Sequence, residues 1–152
     1  MNRTYTREWY DAKVKRIREV IPSCAISTDI ITGFCSETDE EHQDTVSLMK
    51  QVRYELAYMF FYSERPGTLA QKKFEDDVSE DVKKSRLKEI IDIQTQINKE
   101  LNEKEIGEVH EVLAEGISKR DENDFRGRNS QNKVIIFPRG NYKIGDYVKV
   151  KV

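Results

Sequence analysis

Apolar positions recur at helical spacing in three stretches of the chain, and each stretch begins with a residue suited to cap a helix. The first follows Thr6 and ends at Pro22. The second opens on Thr38, whose hydroxyl can form a capping box with the Glu41 carboxylate three residues later. The third begins at Ser79 and continues to about residue 105. The predicted apolar stripe of this long helix is Val82, Leu87, Ile90, Ile91, Ile97 and Leu101.

Two apolar runs between these helices predict β-strands, over residues 24–34 and 54–62. The second run is almost continuously apolar, which is typical of a strand covered on both faces. Strands that alternate with helices predict a parallel α/β sheet. Two strands are too few for such a sheet, so we expect this region to be one end of a larger unit. The segment between Leu69 and Val78 is polar and predicts a loop.

After Gly107 the pattern changes to short alternating runs separated by turn residues, which is typical of a small antiparallel β-barrel. We therefore predict two domains, residues 1–106 and residues 107–152. The predicted strands of the second domain are Val109–Ser118, Asp124–Arg128, Lys133–Phe137 and Tyr147–Val152.

Charge is distributed unevenly along the 152 residues, although the net charge is only -2. Residues 20–49 contain six acidic residues and no lysine or arginine, whereas residues 117–152 contain nine basic and four acidic residues. A basic tail favours an anionic partner, but a merely solvated surface explains the balance equally well. No apolar run is long enough to span a membrane, and the polar N-terminus is not a secretory signal, so we expect a cytoplasmic location.

Four blocks of sequence, in this order, resemble the C-terminal part of the radical-SAM methylthiotransferase family. The resemblance is strongest to the branch of the family that modifies tRNA. The blocks are residues 2–10 (NRTYTREWY), residues 26–34 (ISTDIITGF) with Glu37 and Thr38 close behind, residues 57–68 (AYMFFYSERPGT), and the tail pieces Ser118–Arg120, Gly127–Val134 and Ile144–Val148.

This resemblance implies an α/β fold: the C-terminal portion of a radical-SAM partial (β/α) barrel followed by a TRAM domain, a small OB-like antiparallel β-barrel. It implies addition of a methylthio group to N(6)-dimethylallyladenosine next to the anticodon. The implied cofactors are S-adenosylmethionine and two [4Fe–4S] clusters. The implied partners are the anticodon stem-loop of tRNA and the missing N-terminal domains of the same protein, with no membrane.

The sequence departs from the family pattern in three respects. Cys24 and Cys35 are the only cysteines and lack the cluster spacing, so we expect a fragment that is inactive alone. Cys35 and Ser36 stand where the family usually has Pro-Gly. The TRAM portion stops at Val152, about one strand early, which predicts an unclosed barrel.

In α/β barrels ligands bind at the carboxyl ends of the strands. By resemblance, the residues at these ends would face S-adenosylmethionine, and an arginine just before the first helix would bind its carboxylate or the tRNA. The alternative for each residue is a structural role, in the core or as a solvated charge. The predicted cofactor-binding residues are Arg3, Asp29, Gly33, Glu37, Tyr58, Phe60 and Tyr62, with Arg7 as a second candidate arginine.

Basic residues interleaved with aromatic residues on a small barrel suit looped or single-stranded RNA. The tail offers Phe125, Tyr142 and Tyr147 for stacking, whereas His42 and His110 are predicted to be ordinary surface residues. The predicted RNA-binding residues are Arg65, Lys119, Arg120, Arg128, Asn132 and Lys133.

Two alternative functions remain open at this point. One is a methylthiotransferase of the same family that acts on a ribosomal protein. The other is a non-catalytic RNA-binding module that shares only the β-barrel. No catalytic residue and no metal ligand is predicted within the chain itself.

Overall fold

The computed structural model describes residues 4–152 and divides into two units. The first unit comprises residues 4–22 and 26–101, and the second comprises Ser23–Ala25 and Asn102–Val152. The elements of the first unit are α1 (Arg7–Val20), β1 (Ser27–Thr32), α2 (Asp39–Val52), β2 (Leu56–Phe61), α3 (Leu69–Lys73) and α4 (Glu80–Glu103), which extends two residues past the unit boundary. Those of the second unit are β3 (Val109–Ile117), β4 (Asp124–Asn129), β5 (Val134–Pro138) and β6 (Tyr147–Lys151).

Side-chain caps fix where the first two helices begin. The Thr6 hydroxyl accepts a hydrogen bond from the Trp9 amide at 3.3 Å, and α1 starts at the next residue. Thr38 and Glu41 form the reciprocal capping box predicted from their spacing, with hydrogen bonds of 3.2 and 2.9 Å. Both predicted helix starts are confirmed because capping depends on chemistry within a few residues of the helix end.

Strands β1 and β2 pair in parallel, in a register that runs from Ser27 opposite Leu56 to Thr32 opposite Phe61. The parallel pairing expected from the helical crossover is therefore confirmed. Helices cover one face of this two-stranded sheet and form the core of the first unit with it. The buried residues of that core are Val14, Ile30, Val46, Met49, Val52, Tyr54, Ala57 and Ile90.

Two sequence predictions about the segments from β2 to α3 are wrong. Strand β2 is not covered on both faces, since Tyr58 and Phe60 are 53% and 56% exposed. The predicted loop after Leu69 contains a short helix, α3, because the Thr68 hydroxyl caps it by accepting from the Gln71 amide at 3.3 Å.

The second unit is a four-stranded antiparallel sheet with the order β5-β4-β3-β6. Its architecture fits the small OB-like β-domain predicted for this part of the chain. The register of β3 shifts between Ala114 and Gly116, which marks a β-bulge that increases the local twist. The inner face of the sheet carries the core of the unit: Val112, Ala114, Phe125, Phe137 and Val148.

Candidate functional site

The parallel sheet presents one uncovered face, and part of the predicted cofactor-binding set lies on it. Asp29 is paired with Tyr58, and Ile31 with Phe60, so each pair projects from the same side of the two strands. All four residues are exposed. An uncovered apolar face is unusual for a parallel pair of strands, which is normally buried on both sides. The arrangement combines aromatic surface for stacking with one carboxylate that can accept hydrogen bonds.

A groove of about 590 Å³ lies at the carboxyl end of β2. Its lining is largely apolar and includes four aromatic residues, of which the Phe34 and Tyr62 rings meet edge to face at a centroid distance of 4.9 Å. Arg65 lies at this groove and is exposed. Among the described residues its guanidinium has no hydrogen-bond or ion-pair partner. The groove therefore offers an apolar wall and one available cation.

Gly33 and Glu37 form the turn that follows β1. Gly33 has a φ of +69°, and its amide donates to Glu37 Oε1 at 2.8 Å. The same carboxylate oxygen accepts from Arg86 Nη1 at 2.9 Å and from the Thr32 hydroxyl at 3.2 Å. In this structure, three internal donors hold the Glu37 carboxylate in the turn.

Helix α4 packs against this turn through charged side chains that the apolar pattern did not reveal. The Arg86 side chain is 8% exposed and also binds Asp39 Oδ1 at 2.6 Å. Lys83 is buried, pairs with Asp76, and places its ammonium 5.3 Å from the centre of the Tyr62 ring. Sequence reasoning missed this polar stripe because its partners lie elsewhere in the chain. The buried residues of α4 are Lys83, Arg86, Ile90, Gln94 and Ile97, whereas the predicted stripe members Val82 and Ile91 are exposed.

His42 is a further residue that sequence reasoning placed wrongly. It is 3% exposed rather than on the surface. Its Nε2 lies 2.9 Å from Glu89 Oε2, and because a carboxylate can only accept, Nε2 must donate. Its Nδ1 lies 3.2 Å from the Thr32 hydroxyl. The hydrogen bond from His42 lowers the pKa of Glu89, outweighing the opposite effect of its slight burial.

The two candidate arginines at the start of the chain have different outcomes. Arg3 lies outside the described residues. The Arg7 guanidinium donates to the Ser47 hydroxyl at 2.8 Å and to Gln51 Oε1 at 3.1 Å, so it joins α1 to α2.

The predicted RNA-binding residues of the second unit fall in three separate places. Lys119 and Arg120 are exposed in the turn between β3 and β4. Arg128 projects from the outer face of β4, where its Nη1 lies 3.1 and 3.2 Å from the two carboxylate oxygens of Glu115. Asn132, with a φ of +63°, and Lys133 belong to the turn between β4 and β5.

Lys133 is less available than its charge suggests. Its ammonium lies 2.5 Å from Glu105 Oε1 and 3.1 Å from Asn102 Oδ1, and its side chain is 19% exposed. Of the predicted stacking residues, Phe125 is buried against Phe137 and the prediction for it is wrong. Tyr147 is 71% exposed.

Sequence comparison decides what the second unit is, because residues 103–152 match the TRAM family profile. Residues 103–152 are a TRAM domain. This is the type of domain that the sequence predicted, and its exposed residues include several cations and Tyr147.

The whole chain is similar to proteins named tRNA-2-methylthio-N(6)-dimethylallyladenosine synthase. Identity is 52% over 152 residues in Phocaeicola vulgatus, 55% over 153 residues in Amoebophilus asiaticus and 53% over 152 residues in Bacteroides thetaiotaomicron. All of this chain is covered in each comparison, but it spans only 33%, 32% and 33% of these relatives. The predicted resemblance to the C-terminal part of the methylthiotransferases is thus confirmed, and it continues upstream of the TRAM domain.

An iron–sulfur cluster does not fit the residues of this chain. Such clusters take three or four thiolates, and the chain has two cysteines, of which Cys35 is buried. Within residues 4–152 no group of three or more potential metal-ligating side chains comes together. Over the same residues, no helix has the length and apolar character needed to cross a membrane.

Proposed function

We propose that this chain is the C-terminal portion of a tRNA methylthiotransferase that acts on N(6)-dimethylallyladenosine next to the anticodon. One observation carries the proposal: about half of the positions of the chain are identical to those of the named synthases, and the alignment covers both units. A non-catalytic RNA-binding module that shares only the β-barrel would not account for the similarity of the first unit. The names of these relatives favour tRNA over a ribosomal protein as substrate.

In this proposal the first unit is the C-terminal end of a radical-SAM partial (β/α) barrel. The parallel pair of strands with a helical crossover supports this interpretation, as does the uncovered sheet face. In a barrel that face would look inward, where ligands bind near the carboxyl ends of the strands. The boundary between barrel and TRAM domain would lie between residues 106 and 107, five residues beyond the point where the two units divide after Leu101.

S-adenosylmethionine fits this inward face in its chemical character. The Asp29 carboxylate can accept hydrogen bonds from ribose hydroxyls, and the neighbouring Tyr58 and Phe60 rings offer stacking surface for an adenine. Tyr62 and the turn formed by Gly33 and Glu37 would shape the end of the site rather than bind through free charges. S-adenosylmethionine supplies the methyl group and, together with a cluster, the radical in this family.

The two [4Fe–4S] clusters of the proposed enzyme would be held outside these 152 residues, since the cysteines here do not fit them. The chain alone would therefore be inactive. Its contribution would be to complete the cofactor wall and to dock the tRNA through the TRAM domain. Arg65 would contact the RNA at the edge of the groove, because a guanidinium suits a phosphate.

The direct test is a chimaera in which this chain replaces the corresponding region of the Phocaeicola vulgatus synthase. We expect the chimaera to restore methylthiolated dimethylallyladenosine in the tRNA of a bacterium that lacks its own synthase, as measured by mass spectrometry of digested tRNA. The Asp29→Ala chimaera should lose affinity for S-adenosylmethionine, while the matched Ser27→Ala change on the same strand should not.

The outcome that refutes the proposal is equally defined. A chimaera that accumulates, carries its clusters and leaves dimethylallyladenosine unmodified would show that this chain does not serve that reaction. Normal cofactor affinity in the Asp29→Ala chimaera would remove the role proposed for the uncovered sheet face.

A further inference from the structure

The four-stranded sheet has an outer face whose side chains take no part in its core. Because side chains alternate along a strand, Arg126 and Arg128 project from this face of β4 while Phe125 points into the core. On β6 the same alternation places Tyr147 and Lys149 outward and buries Val148. Lys151 follows at the end of the strand on the outer side.

The strand register brings these outward residues into one patch. Leu113 of β3 is paired with Arg128 on one side and with Tyr147 on the other. Val134 of β5 is paired with Arg128 and extends the same row. Adjacent strands lie about 4.8 Å apart, so this row places a cation and an aromatic ring about 10 Å from each other across an apolar centre.

Basic residues outnumber acidic residues on this outer face. The four cations Arg126, Arg128, Lys149 and Lys151 are accompanied by three acidic residues, Glu111, Glu115 and Asp124, so the excess is one positive charge. Glu115 is engaged with Arg128. The other three cations form no ion pair among the described residues.

The turn that holds Lys119 and Arg120 offers less. Asp121 and Glu122 follow directly in the sequence, so the two cations and two anions of that turn balance. No aromatic residue lies in the turn itself. The turn therefore lacks an exposed ring comparable to that of Tyr147. Among residues 4–152, the Tyr147 ring contacts no other aromatic ring.

We infer that single-stranded RNA lies across the outer face of this sheet, with a base stacked on Tyr147 and phosphates bound by Lys149, Lys151 and Arg126. The inference rests on the proposed function, which supplies a tRNA as partner, and it names the surface of the TRAM domain that binds it. Aromatic rings stack on bases of any sequence, and the cations that flank the ring track the backbone.

The experiment measures binding of a fluorescently labelled anticodon stem-loop RNA to the full chain by anisotropy, at several salt concentrations. We expect Tyr147→Ala to weaken binding at least about fivefold, since stacking contributes about 1–3 kcal/mol per base. Tyr147→Phe, which keeps the ring, should bind nearly as the parent chain does. Because Tyr147 is highly exposed, neither change removes core packing, and circular dichroism checks that the fold is retained.

A matched pair of charge reversals tests the phosphate contacts. Lys149→Glu/Lys151→Glu and Lys119→Glu/Arg120→Glu change the net charge equally. We expect the Lys149→Glu/Lys151→Glu variant to lose more affinity. Its plot of the logarithm of the association constant against the logarithm of salt concentration should have a slope that is smaller by about 1.4, as the loss of two single-strand phosphate contacts predicts.

Three results would overturn the inference in distinguishable ways. If Tyr147→Ala binds as tightly as the parent chain, the ring is not a stacking platform. If the Lys119/Arg120 pair causes the larger loss, the RNA lies at the turn, and the proposed function stands without this surface. If the parent chain does not bind the RNA even at low salt, the docking role in the proposed function fails as well.

Discussion

Gly127 is the position where one added methyl group should do the most damage to the TRAM domain. It lies on β4 opposite Ala114. A Cβ at this position would be 2.3 Å from the backbone oxygen of Leu113 and 2.6 Å from Cγ1 of Val112. Backbone atoms cannot rotate away as a side-chain end can, so Gly127→Ala must push β3 and β4 apart.

The cost follows from what this separation disrupts. Overpacking a core costs about 1–3 kcal/mol, and each ladder hydrogen bond that is stretched adds about 1 kcal/mol. We therefore expect a loss of about 3–5 kcal/mol in the free energy of unfolding of the second unit. A unit of this size has only a few kcal/mol of stability, so the substitution should leave it largely unfolded.

Gly116 supplies the matched control because it lies on the facing strand β3. A Cβ there would meet only Arg126 Nε, at an ordinary 3.7 Å. Gly116→Ala should therefore be neutral within about 1 kcal/mol. Amide hydrogen exchange of the β3 and β4 backbone measures the second unit directly. The single tryptophan, Trp9, reports on the first unit and gives a separate signal.

Equal protection of the β3 and β4 amides in Gly127→Ala and in the parent chain would refute this reasoning. It would mean that the strands can separate by about 1 Å at little cost. Equal loss in both glycine variants would instead show that any side chain on this sheet is harmful, and the close approach of Leu113 would not be the cause.

Three further predictions concern the first unit. Ser36→Gly should raise the free energy of unfolding by about 0.5–1 kcal/mol because Ser36 has a φ of +64°, whereas Ser36→Ala, which keeps the strain, should give no gain in a urea titration. The His42 hydrogen bond lowers the pKa of Glu89, so its stabilisation is present above the ordinary value of 4.5 and is lost as pH falls through the lowered pKa. The melting-temperature difference between the parent chain and Glu89→Gln should therefore vanish in acid, and a difference independent of pH would contradict this. Arg86→Met should lower the free energy of unfolding by about 3 kcal/mol because it leaves the Glu37 carboxylate without its cation, and Arg86→Lys, which keeps the charge, should lower it less. Tryptophan fluorescence in a urea titration measures both variants. Equal losses would show that only the packing of the side chain matters.

Local chemistry made part of this fold predictable. Thr6 and Thr38 indicate where helices begin because a capping side chain accepts hydrogen bonds from amides only two or three residues away. The parallel pairing of β1 and β2 followed from the length of the crossover between them, since parallel strands cannot be joined by a short turn. Ser36 was identified as a departure from the family pattern, and the structure shows a positive φ at that position.

Long-range contacts account for what the sequence did not reveal. His42 and Arg86 are buried because Glu89 and Glu37, 47 and 49 residues away in the chain, meet them. No periodicity in a single sequence records such pairings. For the same reason, Glu37 and Lys133 could be selected as candidate ligand-binding residues, but the internal partners that occupy their charged groups could not be foreseen.

The charged stripe on the buried side of α4 constrains how this sequence can evolve. Replacing Arg86 alone leaves the largely buried Glu37 carboxylate without its cation, and replacing Lys83 alone leaves Asp76 without its cation. Accepted changes at these positions should therefore arrive as compensating pairs or triplets. Co-substitution among relatives would then link the turn after β1 to a helix more than forty residues downstream.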